Sequence, residues 1–147
     1  MTKQEMLKHI EEEMIICAGD HDLLEGMLDL ECVDCDPEKH TADFKYKPVK
    51  WQCNDYGGVH GGMITTVCDY TMGLTIGCTV GAYVGTASLS VNYLKPMMGD
   101  EYLVHCTCLH PGNKICHGQA EVFDSKTGVM TAVCNATFCK VNFDPSK

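Results

Sequence analysis

Val59-His60-Gly61-Gly62-Met63-Ile64-Thr65-Thr66-Val67-Cys68-Asp69-Tyr70-Thr71-Met72-Gly73-Leu74-Thr75-Ile76-Gly77 is the stretch on which the fold turns. Wound at 3.6 residues per turn, it places Met63, Ile64, Val67, Met72, Leu74 and Ile76 on nearly every side. A helix that is apolar all round is a buried helix. Gly73 and Gly77 lower its helix propensity, which is tolerable where another backbone packs closely. From 57 to 94 the only formal charge is Asp69, yet glycine and threonine interrupt every apolar run. None reaches the roughly 20 residues a membrane span needs, so a buried helix followed by a core strand is expected.

Downstream the period changes to two. Residues 86–95, 101–110, 115–123 and 129–141 read as four consecutive strands. The connections 96–100, 111–114 and 124–128 are rich in Pro, Gly, Asn and Asp, as tight antiparallel turns require. Upstream, residues 42–49 alternate Phe44, Tyr46 and Pro48 against Lys45, Lys47 and Val49, a half-buried strand. A further extended segment spans 27–33, joined to it by a turn at 34–40. Residues 3–17 carry Met6, Ile10, Met14 and Cys17 at helical spacing, with a break near Gly19 and through 20–26. An apolar helix among antiparallel strands predicts an α+β fold in which one sheet wraps a long central helix. The 147 residues suit one domain, with residues 1–24 as an N-terminal helical extension.

The formal net charge is −9, so the chain repels phosphate backbones and nucleic-acid binding is not expected. Every cation is a lysine; there is no arginine. A side-chain contact to phosphate would therefore come from a point charge and not a bidentate fork. Eleven cysteines, an odd number, follow an N-terminus that is charged through residue 20 and has no apolar leader. The expectation is a cytoplasmic protein with reduced thiols. Cys32-Val-Asp-Cys35 has no second pair at zinc-ribbon spacing. His105, His110 and His117 lie near Cys106, Cys108 and Cys116, but no spacing points them at one site. No metal is expected.

The chemistry gathers in Asn54-Asp55-Tyr56-Gly57-Gly58-Val59-His60-Gly61-Gly62, with Asp69 nine positions after the histidine. This N-x-x-G-x-x-H-G-G pattern and its acidic residue resemble the PaaI-like (phenylacetate-pathway) branch of hotdog thioesterases. Tyr93, Lys95 and Pro96 at the end of a strand, Gly112-Asn113-Lys114 and Gly128-Val129-Met130-Thr131-Ala132 extend the resemblance over about residues 25–141. It implies a hotdog fold, hydrolysis of an acyl-coenzyme A thioester, and active sites built across a homodimer or dimer of dimers. Coenzyme A is then part of the substrate, and no separate cofactor is expected.

Elementary physics assigns part of the site. The first N–H groups of a helix have no intrahelical acceptor and carry the positive end of the dipole. Gly61 and Gly62 remove side chains there, so the Gly61 N–H can stabilise the oxyanion formed when a thioester carbonyl is attacked. Asp69, a carboxylate amid apolar neighbours, is expensive unless paired. In the register that the resemblance supplies, it is expected to act as general base on water or as nucleophile forming a mixed anhydride. Gly61 and Asp69 are eight residues apart, about 12 Å at 1.5 Å per residue, whereas reacting atoms meet at about 3–3.5 Å. One carbonyl served by both therefore draws them from two chains, as a two-fold dimer with antiparallel helices would supply.

By resemblance, Asn54 binds the thioester region or the hydrolytic water, and His60 orients the loop. Thr86 matches a hydroxyl residue supporting the water or carboxylate, with Ser88 close enough for the alignment to slip. Lys95 and Lys114 are the lysines placed to meet coenzyme A phosphates. Two departures stand out. Some hotdog thioesterases have a hydroxyl residue four positions after the acid, where this chain has Gly73, and arginine is absent from any nucleotide grip. The competing function is a non-catalytic acyl-coenzyme A binding or sensing protein of the same fold, against which Asp69 argues. A hotdog dehydratase, which uses a His–acid pair on the carbon chain, and a cysteine-based metal or redox protein complete the alternatives.

Overall fold

The computed structural model describes residues 1–142. The first element, α1 (Lys3–Cys17), starts at Thr2 in a capping box: Thr2 Oγ1 accepts the Glu5 N–H, and the Glu5 carboxylate accepts the Thr2 N–H at 2.7 Å. Its Met6 and Ile10 are buried where α1 crosses β1 (Leu30–Asp36) and the central helix. The expected strand at 27–33 begins later, because Glu25–Met27 winds a short 3-10 turn, and it runs on to Asp36. A register shift between Cys32 and Asp34 turns both Cys32 and Cys35 into the core. The next strand, β2 (Thr41–Tyr46), ends before Pro48, which has no N–H for a ladder.

The central helix α2 (Gly61–Val80) runs past Gly77 and stops at Gly81, whose φ of 61° is the left-handed conformation of a helix C-cap. Its threonines do not spoil burial. Thr71 and Thr75 are 0% exposed, and their hydroxyls donate to the carbonyls of Val67 (2.7 Å) and Thr71 (2.8 Å) one turn back. Four strands follow: β3 (Val84–Tyr93), β4 (Tyr102–His110), β5 (Ile115–Asp124) and β6 (Met130–Lys140).

All six strands form one antiparallel sheet in the order β1-β2-β4-β5-β6-β3. Only β4, β5 and β6 are the expected meander. β3 does not pair with β4, so residues 96–100 are not a tight hairpin turn but part of a crossing to the far side of β5 and β6. The N–H groups of Leu94 and Lys95 both donate to Thr131 O, and the buried Met97 accepts the Val59 N–H at 2.9 Å. The crossing thereby passes over the loop that leads into α2.

Phe44, Tyr46, Val104, Cys106, Ala120, Val122, Ala132 and Cys134 face Ile64, Val67, Cys68, Met72 and Ile76 of the helix. A Cβ at Gly118 would stand 2.8 Å from Ile76 Cδ1, so glycine there lets α2 settle on the sheet. The opposite face of α2, through Thr66, Asp69, Tyr70, Gly73 and Leu74, is half-open in the protomer apart from the neighbouring α1.

Candidate active site

The loop into α2 is held from three sides. Gln52, 0% exposed, donates from Nε2 to Met27 O (3.3 Å) and accepts from Tyr46 Oη (2.7 Å) and Val49 N (3.1 Å). Its backbone carbonyl accepts the His60 N–H at 2.8 Å. Asn54 closes the loop: its Oδ1 accepts the N–H groups of Tyr56 (3.0 Å) and Gly58 (3.1 Å). That occupies its acceptor, and the Nδ2 donor has no partner among the described residues.

His60 is the N-cap of α2. Its Nδ1 accepts the Gly62 N–H at 2.9 Å, which fixes the proton on Nε2 in the neutral ring. The cap satisfies Gly62, while Met63 and Ile64 donate to His60 O. The Gly61 N–H is the one donor of this first turn with no acceptor among the described residues. Gly62 thus contributes its missing side chain and not its N–H. The sequence reading missed Tyr93 as the residue that sets this turn: its Oη donates to Gly61 O (2.9 Å) and lies 2.7 Å from Thr65 Oγ1. A Cβ on Gly61 would meet the Tyr93 ring at 3.2 Å, so the close aromatic packing favours glycine.

Asp69 lies two turns further along α2. Thr86 Oγ1 donates to its Oδ1 at 2.6 Å, leaving Oδ2 without a protein donor among the described residues. Both residues line a cleft of about 650 Å³ between α2, β3 and α1. Thr86 reaches the helix because of a bulge. The ladder pairs Thr86 with the inward Phe138, then slips one residue and pairs Ser88 with Thr137. Thr137 bonds His117 on the outer face at 3.0 Å, so Ser88 points away from Asp69. The same slip brings Tyr93, of opposite parity to Thr86, back to the helix side.

Within one protomer the predicted residues form two groups. Gly61, His60, Asn54 and Tyr93 gather at the N-terminus of α2, and Lys95 follows directly on. Asp69 and Thr86 sit about 12 Å along the axis, with Lys114 beyond the start of β3, where Lys114 O accepts the Lys140 N–H. The two lysines therefore stand at opposite ends of the sheet, and both are exposed. Among the described residues no group of three metal-binding side chains occurs, and all eleven cysteines are free. No helix among the described residues is long and apolar enough to cross a membrane.

Residues 56–131, more than half of the chain, match the thioesterase superfamily. No curated protein matches the chain. Among solved structures, a Streptococcus mutans protein bound to acetyl CoA is 28% identical, with 78% of this chain and 90% of that one covered at a TM-score of 0.70. The E. coli PaaI protein of the phenylacetic acid degradation operon is 13% identical over 92% and 96% of the two chains, with a TM-score of 0.76. A phenylacetic acid degradation-related protein of Ralstonia eutropha is 21% identical over 89% and 98%, with a TM-score of 0.75. These last two likenesses are of fold, and the fold is the hotdog.

Proposed function

The chain belongs to the thioesterase superfamily, and on that premise we propose that it hydrolyses an acyl-coenzyme A thioester to the free acid and coenzyme A. The observation that carries the reading is the Asp69 carboxylate, which lines a cleft of acyl dimensions, is held through Oδ1 by Thr86 and keeps Oδ2 without a protein donor among the described residues. A binding protein has no use for a charged oxygen aimed into such a space. The acetyl CoA bound in the Streptococcus mutans structure supports the same substrate class.

Oδ2 is the reactive oxygen. As a base it takes a proton from water, whose oxygen attacks the carbonyl carbon; as a nucleophile it attacks that carbon itself and water later resolves the anhydride. In both routes the C–S bond breaks and coenzyme A leaves as the thiolate, which then gains a proton. The negative charge on the carbonyl oxygen falls to the Gly61 N–H, with the His60 Nε2–H and Asn54 Nδ2 as further donors at the same helix end. Because about 12 Å separates Gly61 from Asp69 along α2, the complete site takes Asp69 from one protomer and the Gly61 turn from another. The exposed edge of β3 and the half-open face of α2 support such a two-fold pairing. Lys95 of one chain and Lys114 of the other are then the lysines available to coenzyme A phosphates.

The test is release of free coenzyme A from a panel of aromatic and aliphatic acyl thioesters, with Asp69→Asn and Asp69→Ala as controls that must stay folded. Turnover by the wild type and its loss in both variants supports the reading. Tight binding without turnover would make the chain a binding or sensing protein. Label in Asp69 after a single turnover in H₂¹⁸O identifies the nucleophilic route with water attacking the aspartyl carbon, whereas attack at the acyl carbon puts the label in the released acid in either route.

A further inference from the structure

The cleft beside Asp69 is larger than a thioester carbonyl needs, at about 650 Å³. Its floor is the outward face of α2. Positions four and eight after Asp69, which share its helix face, are Gly73 and Gly77. One wall is α1, through His9 and Glu13, and the other is Val84 of β3 with Phe138 of β6. The α1 wall lies outside the residues that match the superfamily.

Gly77 is explained by packing: a Cβ there would lie 3.3 Å from Ala82 O. Gly73 is not. Among the described residues its Cβ would meet only Phe138 Cε1, at an ordinary 3.7 Å, so none of them demands a residue that weakens the helix. Adding a side chain would instead fill the cleft one turn beyond Asp69. From Asp69 to Gly77 the bare floor runs about 12 Å, and the channel continues to Gly81 and Tyr83. An acetyl group would leave wet most of the apolar side of this length, formed by Leu74, Ala82, Val84 and Phe138 opposite Glu13 and Glu25, whereas an extended chain would cover it.

We propose that the acyl group lies extended in this channel, from its carbonyl at Asp69 across Gly73 and Gly77, with α1 as the wall that limits its width. The substrate is then a long, slim acyl chain and not an acetyl group. The inference rests on the thioesterase reading and adds to it the class of acyl group and the residues that select it.

Straight-chain acyl-coenzyme A thioesters from acetyl to palmitoyl test it, with wild type, Gly73→Val and His9→Trp compared by kcat/KM. The wild type is expected to improve with chain length. Gly73→Val, which replaces glycine by a better helix former, should remain folded and lower the long-chain to acetyl ratio by roughly 10–200-fold, the discrimination that small changes in an apolar pocket carry. His9→Trp, narrowing the opposite wall, should move the ratio the same way. A wild type that prefers acetyl, or a ratio unmoved by both variants, overturns the channel. So does a Gly73→Val protein whose oligomer falls apart with the ratio intact, which would assign the glycine to packing between copies. A wild type inert on every thioester would instead remove the hydrolase reading beneath it.

Discussion

Replacing Gln52 with leucine keeps the volume of a fully buried side chain and deletes three hydrogen bonds. Tyr46, 1% exposed, would keep its hydroxyl and lose the acceptor 2.7 Å away. A buried group stranded in this way costs about 1–3 kcal/mol, and each of the two part-buried bonds to Val49 and Met27 contributes about 0.5–1.5 kcal/mol. Water can reach the latter pair, so the expected loss is about 2–4 kcal/mol. At about 2.1 cal/mol/K of unfolding entropy per residue, 1 kcal/mol in a chain of this length moves Tm by about 3 °C. Gln52→Leu should therefore melt about 6–12 °C below wild type at matched protein concentration, read by calorimetry or circular dichroism. Adding Tyr46→Phe removes the stranded hydroxyl, and the double variant should recover about 1–2 kcal/mol of the deficit. A Gln52→Leu protein melting within about 2 °C of wild type, or no recovery on adding Tyr46→Phe, would refute the argument. The same residue carries the His60 N–H on its carbonyl, so the loss is expected to loosen the turn that presents Gly61.

Thr86→Val removes the donor to Asp69 Oδ1 at nearly constant shape. A hydrogen bond to a charged group is worth about 1.5–3 kcal/mol, so kcat/KM should fall roughly 10–100-fold in the coenzyme A release assay, and unchanged turnover would mean that Thr86 does not position the carboxylate. The thiols give a pH prediction. Burial pushes Cys32 and Cys106 up to about 12 and Cys78 and Cys108 to about 11, from an ordinary 9.0. The folded chain thus holds protons that the unfolded chain releases above pH 9; this contribution to stability is complete below 9.0 and is lost as pH rises through 11–12. A denaturant midpoint that holds from pH 10 to 11.5 would contradict it. At pH 8 a thiol reagent should reach only the half-exposed Cys17, Cys53 and Cys139 before unfolding, and rapid reaction of the other eight of the eleven would show the core to be open.

Local rules recovered much of the chain, and failed where distant strands decide. α1 was legible from the spacing of Met6 and Ile10, and α2 from its continuous apolar character. The N-terminus of α2, with the glycines and histidine that build it, was equally legible because capping is local. The position of β3 was not. The turn-like composition of 96–100 reads as a hairpin, and only the ladder to β6 and the anchoring of Leu94, Lys95 and Met97 send the chain across the sheet. The bulge after Thr86 was invisible for the same reason. Strict alternation puts Thr86 and Ser88 on one face and Tyr93 on the other, whereas the register with Phe138 and Thr137 brings Thr86 and Tyr93 to the helix and turns Ser88 away. Neither the part of α1 in the cleft nor the role of Gln52 has a local signature, since both arise from contacts between segments far apart in the chain.

The central claim is that Asp69 and the Gly61 N–H act on one carbonyl from two chains, and mixing two inactive variants tests it most directly. Gly61→Pro deletes the N–H at the first helical position, where proline is favoured and His60 already has the extended backbone it requires. Because its ring must displace Tyr93, Gly61→Ala, which crowds Tyr93 but keeps the N–H, is the control that should stay active. Asp69→Asn deletes the reactive carboxylate. Gly61→Pro and Asp69→Asn should each alone be folded and inactive. Unfolded and refolded together in equal amounts, half of the dimers are mixed, and each mixed dimer regains one intact site of two, so about a quarter of wild-type activity should return. Recovery near that level is the predicted result; a mixture as inactive as its components would place both groups in one chain and contradict the account.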